Sequence, residues 1–483
     1  MIALTLTEIA AAVAGVLSLS PGSVSETTLS GSVQTDSRLV TSGSIFIALH
    51  GEFADGHLFA DGAVSAGAQL LIVDHALPLA VDQVIVSDTL EALAALAKYV
   101  VATVRAGGGL TVIGITGSNG KTTTKNMLRA VLTSAGPTIA PPGSFNNHVG
   151  APLSMLAIDR NTRFLVIEMG AAAVGEIART VALAIPDIAI VLKVGLAHAG
   201  EFGGIEQTKM AKAEIVTRLA PDAVAILNAD DTRVAEMASL TPARTKWFGL
   251  AGYSAAQTPE VNADDLRATA SGTSFILGIG GQHRQVTLRI LGEHHVMNAL
   301  ATLAVADEVG IDLDVAISAL ETVPRAERWR MEVLRRPDGI VVINDAYNAS
   351  PDSMAAALKT LAQIVEPGQR SVAILGEMAE LGEYAQDEHD RIGRLVVRLN
   401  IQKLIVVGHD ARHIHNAAGL EGSWDGESVL VETAQEALEL MNSDLRNGDV
   451  ILVKSSNSAN LRFVGDSLGG VADSSPPAKA ATA

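Results

Sequence analysis

The sequence predicts an α/β protein of three domains: a central P-loop domain built on a doubly wound parallel sheet, a smaller α/β N-terminal domain, and a Rossmann-like C-terminal domain. Three observations predict it. The 483 residues correspond to about three domains at roughly 150 residues each. Short apolar strand-like runs alternate with helical stretches through most of the chain, which is the rhythm of βαβ units. Two breaks in that rhythm, Arg105-Ala106-Gly107-Gly108-Gly109 and Val323-Pro324, read as links. They divide the chain into 1–106, 107–322 and 323–466. The remainder, 467–483, is a Ser/Pro/Ala-rich tail expected to be disordered.

In the first segment, Ser44 to Leu49 and Gln69 to Val73 read as buried strands, and Leu90 to Val104 as a helix. The second segment opens with a strand, Leu110 to Thr116, a Gly-rich turn, and a helix from about Lys121 to Ser134 that Gly136-Pro137 stops. Strands recur at Phe164 to Ile167, Ile188 to Leu192 and Ala223 to Leu227. The polar stretch Thr258 to Arg289 reads as an antiparallel insertion, and the helix Val296 to Val309 closes the segment. The third segment alternates strands at Ile340 to Ile343, Ser371 to Leu375, Lys403 to Val407 and Asp449 to Val453 with helices at Asp352 to Ile364, Asp387 to Leu399 and Thr433 to Met441.

Composition removes several classes of function. There is no Cys, which excludes a disulfide framework, a thiolate zinc site and a cysteine nucleophile. The 35 basic against 53 acidic residues give a net charge of −18, so no global basic surface for nucleic acid is expected. No apolar run reaches the roughly 18 residues of a membrane span. Met1 to Leu17 lacks a basic start and carries Glu8, so it reads as a strand and helix and not as an export signal. A soluble cytoplasmic protein, working as a monomer, is the expectation.

The strongest chemical signal is Thr116-Gly117-Ser118-Asn119-Gly120-Lys121-Thr122-Thr123. A strand feeding a Gly-rich turn that opens a helix aims backbone N–H groups and the helix dipole at an anion. Lys121 can reach phosphate oxygens, and the Thr122 hydroxyl can ligate Mg²⁺. Ile115 stands where the strict P-loop spacing has Gly, so this is a shortened variant. Glu168, at the carboxyl end of the next strand, is placed as a Mg²⁺ ligand, although alone it would read as a solvated strand end. His198, Lys209 and Lys212 read, by themselves, as a loop histidine and two surface charges. Asn228-Ala229-Asp230-Asp231 reads equally as a helix cap or a nucleotide contact. His294, His295 and Asn298 lack the carboxylate or Cys spacing of a zinc site.

Taken together, these residues resemble the Mur ligase family, ATP-dependent amide-forming enzymes of peptidoglycan precursor assembly, over about residues 30 to 465. The turn matches the family's Thr-Gly-x-Asn-Gly-Lys-[Ser/Thr] form. Asp36-Ser37-Arg38, Gly43, Phe46 and Asp55-Gly56-His57 resemble its UDP-muramoyl-peptide-binding domain. Ser144-Phe145-Asn146-Asn147, Glu168-Met169-Gly170, His198 and Ala211-Lys212-Ala213-Glu214-Ile215 follow in family order. Asn344 to Met354 and Leu375 to Gly382 resemble the branch whose substrates are UDP-N-acetylmuramoyl-tripeptide and D-alanyl-D-alanine. The Asp-Asn-Pro-Arg segment of the diamino-acid-adding branch and the Asn-Lys-x-Asp motif of GTPases are missing.

The resemblance implies the following roles. Gly117, Ser118, Asn119, Gly120, Lys121, Thr122 and Thr123 cradle the ATP phosphates, and Thr122 and Glu168 hold Mg²⁺. His198 helps to hold a second Mg²⁺, and Lys212, favoured over Lys209 by its context, is the position the family carbamylates. Lys121, His198 and Lys212 form the catalytic set. Asn298 contacts adenine, Arg330 a phosphate and Asp345 the ribose. Asp36, Ser37, Arg38, Asn146 and Asn147 bind the UDP-muramoyl-peptide, and Tyr347 and Asn348 lie near the dipeptide. Three positions depart from the family: His295 replaces an Asn, Trp329 a Gly before Arg330-Met331, and Lys454-Ser455-Ser456-Asn457 stands for Lys-Gly-Ser-Arg. Competing readings are another ATP-dependent amide ligase, diamino-acid-adding or folylpolyglutamate-type, and a non-catalytic nucleotide-binding module. The folylpolyglutamate type lacks the Asp36-Ser37-Arg38 region.

Overall fold

The computed structural model describes residues 1–51, 54–141, 143–196, 200, 203–253, 257–269, 271–323, 328–422 and 424–471. His198, Pro324 and most of the tail lie outside them. Strands and helices alternate as the apolar runs dictate, and they sort into three main sheets.

The N-terminal sheet contains β1 (Val16–Ser18), β2 (Val33–Gln34), β3 (Ile45–Ile47), β4 (Leu70–Val73) and β5 (Asp82–Ile85), in the order β1-β5-β4-β3-β2. All neighbours except β1 and β5 are parallel. β3 and β4 are buried along their whole length, as continuous apolar runs require in a two-sided sheet. Helix α1 (Thr89–Ala106) starts at Asp88, whose carboxylate accepts the Leu90 and Glu91 N–H groups.

The central sheet holds nine strands: β6 (Thr111–Thr116), β7 (Thr138–Ile139), β8 (Phe164–Glu168), β9 (Ile188–Val191), β10 (Val224–Asn228), β11 (Arg244–Leu250), β12 (Val261–Thr269), β13 (Gly272–Ile279) and β14 (Gln282–Leu288). Their order is β14-β13-β12-β11-β10-β9-β6-β8-β7. The expected antiparallel insertion is β12 to β14, which extends this sheet at one edge. From β6 the chain passes to the edge strand β7, returns to β8 and then crosses to β9 on the other side of β6, so the topological switch point lies between β6 and β8. Helices α2 (Lys121–Thr133), α3 (Gly150–Leu156), α4 (Glu176–Leu183), α5 (Ile205–Thr217) and α6 (His294–Glu308) belong to this part.

The C-terminal sheet orders β15 (Glu332–Arg335), β16 (Val341–Asn344), β17 (Ser371–Leu375), β18 (Lys403–Val407), β19 (Glu427–Val431) and β20 (Val450–Lys454) as β15-β16-β20-β17-β18-β19. Only β15 is antiparallel. Helix α7 (Pro351–Ile364) opens with a reciprocal cap between Ser350 and Ser353 and with Pro at its first turn. Sequence reading missed β19, a half-buried edge strand, and the helix Leu461–Leu468. The tail expected from 467 therefore starts late, because Leu461, Val464 and Leu468 are buried on the sheet. No helix among the described residues is long and apolar enough to cross a membrane.

Candidate active site

The phosphate loop sits where the β6 backbone stops pairing. Glu168 stands beside Ile115 in the neighbouring strand β8, so the fold delivers this carboxylate to the loop at the strand ends. The turn needs glycine for two reasons. Gly120 has φ +88°, and a Cβ there would lie 2.4 Å from Asn298 Oδ1. Asn298 on α6 is therefore seated against the loop.

The polar atoms around the loop are already knitted together. Lys121 Nζ donates to Gly117 O at 2.8 Å. Loss of hydration lowers its pKa; Glu168 opposes that shift and Arg330 adds to it. Thr122 Oγ1 donates to Glu168 at 3.1 Å and lies 3.1 Å from Ser144 Oγ. Asn146 Nδ2 donates to Glu168 Oε1 at 3.0 Å. Ser118 Oγ exchanges hydrogen bonds with the Gly195 backbone, and Asn119 Oδ1 accepts from Ser350 Oγ at 3.1 Å.

Lys212 on α5 is 3 % exposed and faces the same space. Burial, and then the Lys121 charge, push its pKa down to about 7, while Glu176 and Glu214 oppose the shift. Its rival Lys209 instead pairs with Glu236. Glu214 serves the fold: its carboxylate accepts the Gly175 and Ala178 N–H groups.

The C-terminal part closes the other side. Arg330 lies over the Tyr347 ring, 4.1 Å to its centroid, and Nη2 donates to Ser144 Oγ at 3.3 Å. Its Nε is buried without a hydrogen-bond partner among the described residues. Trp329 and Met331 flank it with φ of +61° and +49°, a conformation costing roughly 1–2 kcal/mol per residue. Trp329 Nε1 and Arg328 Nη2 both donate to buried Asp466, at 2.9 and 2.8 Å, which holds the strained turn. Asp345 accepts Lys454 Nζ at 2.7 Å and the Met331 N–H at 2.9 Å.

These groups line one cavity of about 760 Å³, with the loop, Glu168 and Lys212 on one wall and Arg330, Asp345, Tyr347 and Asn348 on the other. Its chemistry is that of an anion site with oxygen donors for a hard cation.

Family models match the chain in three blocks: "Mur ligase family, catalytic domain" over residues 31–105, "Mur ligase middle domain" over 115–306 and "Mur ligase, glutamate ligase domain" over 329–457. A UDP-N-acetylmuramoyl-tripeptide–D-alanyl-D-alanine ligase of Mycobacterium tuberculosis is 42 % identical, covering 97 % of this chain and 98 % of the relative. The chain belongs to the Mur ligase family. Among solved structures, MurF from Acinetobacter baumannii superposes with a TM-score of 0.85 at 30 % identity, covering 97 % of this chain and 99 % of that one. MurF ligase from Thermotoga maritima in complex with ADP superposes at 0.78 with 26 % identity, covering 92 % and 98 %.

Within this Mur ligase chain most residues expected at the site converge on the cavity. His198 lies outside the described residues, and Gly117 sits behind the lining of the loop, its carbonyl accepting Lys121 Nζ. Asp36, Ser37 and Arg38 lie elsewhere, at the carboxyl edge of the N-terminal sheet, where Asp36 holds the exposed Arg38 guanidinium at 2.7 Å. Asn147 lines the cavity, but its Oδ1 caps α3 by accepting the Val149 and Gly150 N–H groups. The sequence places Ser144 and Lys454 in motifs without giving either a role: Ser144 links Thr122 to Arg330, and Lys454 pairs with Asp345. Sequence reading missed Lys125, one helical turn beyond Lys121, buried, with Nζ 3.6 Å from Glu168 Oε2. The four-residue spacing from Lys121 was the available signal. His294 and His295 are side by side at the cavity; burial lowers the pKa of His294 to about 4, and His295 Nε2 is buried without a hydrogen-bond partner among the described residues.

Proposed function

We propose that this chain joins D-alanyl-D-alanine to UDP-N-acetylmuramoyl-tripeptide in the cytoplasm, consuming ATP and releasing ADP and phosphate. The observation that carries the reading is the two-walled cavity, in which a phosphate loop and a buried lysine face Arg330, Tyr347 and Asn348. A phosphate enters against Gly117–Thr123, where Lys121 offers charge at the terminal phosphoryl group. Asn298 meets the adenine, Asp345 the ribose, and Arg330 Nε, without a hydrogen-bond partner among the described residues, meets a phosphate oxygen.

Thr122 and Glu168, already in contact, fit Mg²⁺ as oxygen donors, and Asn146 and Lys125 orient the carboxylate. Mg²⁺ bound there supplies neutralising charge when the tripeptide carboxylate approaches the phosphoryl group. The carboxylate oxygen attacks the γ-phosphorus and ADP leaves. The dipeptide amine then attacks the acyl phosphate carbonyl, loses a proton, and phosphate leaves. Enclosure of the acyl phosphate between the two walls keeps water from competing.

Lys212 fits carbamylation. An amine held near 7 is substantially neutral at physiological pH. Its lone pair adds to CO₂ and the nitrogen loses a proton, leaving a carboxylate-like group that suits a hard cation. His198 is assigned to a second Mg²⁺ by its place in the family order. Asp36, Ser37 and Arg38 bind the uridine diphosphate end of the substrate.

The test is phosphate release assayed with each substrate omitted in turn. Release is expected only when ATP, the UDP-muramoyl-tripeptide and D-alanyl-D-alanine are all present. Lys121→Ala is expected to lower turnover by at least roughly 10²-fold with an unchanged unfolding temperature. Turnover near wild type in that variant, or release indifferent to the dipeptide, would overturn the reading.

A further inference from the structure

Away from the cavity, the carboxyl edge of the N-terminal sheet gathers side chains to which the ligase reading assigns no individual role, Asp55 and His57 entering it only as part of a domain motif. His50 follows β3, Asp74 and His75 follow β4, and Asp55 and His57 lie on the return from His50. Asp74 is the hub. Its Oδ2 lies 2.5 Å from His50 Nε2, and its Oδ1 lies 2.5 Å from His75 Nδ1 and 3.2 Å from His57 Nε2. The His57 ring stacks on His75, with centroids 4.8 Å apart.

His57 is nearly buried, and its Nδ1 meets Asp55 Oδ1 at 2.6 Å. That bond puts the ring proton on Nδ1 and leaves Nε2 a lone pair, which takes the Asp74 N–H at 3.2 Å. A carboxylate that orients an imidazole whose other nitrogen faces further donors is the outer-shell arrangement of metal-binding histidines. The donor atoms of His50, His57 and Asp74 all lie within 4.8 Å of one another. An ordinary surface ion pair needs one histidine beside a carboxylate; here three share one. Nitrogen and carboxylate donors without thiolate suit Zn²⁺ and its first-row neighbours and disfavour Mg²⁺.

We infer that His50, His57 and Asp74 bind a divalent transition-metal ion of the zinc class, with His75 adjoining the site through Asp74. The ion ties the end of β3 to the end of β4, on the same sheet edge as Asp36–Arg38. Coordination replaces the long Asp74 N–H to His57 bond and the hydrogen bond of His50 to Asp74.

The test uses the full chain without a histidine tag, titrated with Zn²⁺ by calorimetry in excess Mg²⁺, which occupies oxygen-rich sites. A single site is expected, with a higher unfolding temperature in Zn²⁺ and, with Co²⁺, visible d–d absorption. His50 and His75 are 59 % and 60 % exposed, so His50→Gln and the double variant His50→Gln/His75→Gln are expected to fold. Both should lose the zinc-dependent shift and the Co²⁺ absorption while keeping the metal-free unfolding temperature. Asp55→Asn should weaken Zn²⁺ binding about 10–100-fold. No Zn²⁺ binding by the wild type in excess Mg²⁺, or His50→Gln binding with unchanged affinity and spectrum, would overturn the inference.

Discussion

The two seams between the three parts of this molecule are made of different matter. On the N-terminal side, α1 packs against α3 and α4, and its Leu93, Leu96, Val100 and Val104 belong to one apolar cluster that runs from Ile2 through Met155 and Val181 to Val216. On the C-terminal side the seam is chiefly polar. Ser350 bonds Asn119, Lys193 pairs with Asp352 at 3.0 Å, Arg330 bonds Ser144, Gln363 bonds Glu293, and Gly200 N–H meets Glu380 O. Among the described residues Leu291 is an apolar exception, joining the C-terminal cluster. Burying a large aliphatic side chain contributes about 1.5–3 kcal/mol, whereas an exposed ion pair contributes about 0–1 kcal/mol. The first seam is thus part of a core, and the second is a contact that water can replace. The sequence alone reads Arg105–Gly109 and Val323–Pro324 alike, as links. The packing separates them: the phosphate loop, Glu168 and Lys212 share one apolar block with the N-terminal part, and Arg330, Asp345 and Tyr347 belong to the part held on chiefly by polar contacts.

Breaking the apolar seam should have the largest effect on stability. Leu96→Ala, at a fully buried position, is expected to cost about 2–5 kcal/mol in denaturant unfolding. A loss below 1 kcal/mol would show that the seam is not a core.

Next is Lys212, whose depressed pKa arises from burial and from charges that all lie on the fixed block. The folded state releases this proton near pH 7 and the unfolded chain near 10.5. The penalty of holding the charge is therefore full below about 7 and fades as pH rises toward 10.5, where stability increases with pH. In CO₂-free buffer, Lys212→Met should be more stable than wild type at acidic pH, with the gap closing through that window. The profile should be the same in a Ser350→Ala background. A gap independent of pH would contradict the assignment.

The smallest expected effect on stability is at the polar seam. Asp352→Ala removes the Lys193 pair and should change stability by less than about 1 kcal/mol. It should nevertheless shift solution scattering toward a more extended form and raise the KM for substrates. Scattering unchanged both by this variant and by ATP analogue with both substrates would argue against a swinging C-terminal part.

Much of this protein was legible in one dimension because the signals are local. A strand, two glycines, Lys121 and Thr122 specify a phosphate loop through backbone geometry alone, and β17 and β18 were found to the residue because buried parallel strands read as unbroken apolar runs. Family order singled out Lys212, but neither its burial nor its shifted pKa is written in its neighbours. What only the tertiary structure decided is convergence: Lys125 on Glu168, Lys454 on Asp345, Asn298 against Gly120, Asp466 beneath the strained Trp329, and three histidines around Asp74. Each pair joins residues whose separation along the chain carries no period. Their meeting follows from which sheet edge each strand ends on, and that is settled by the packing of whole layers.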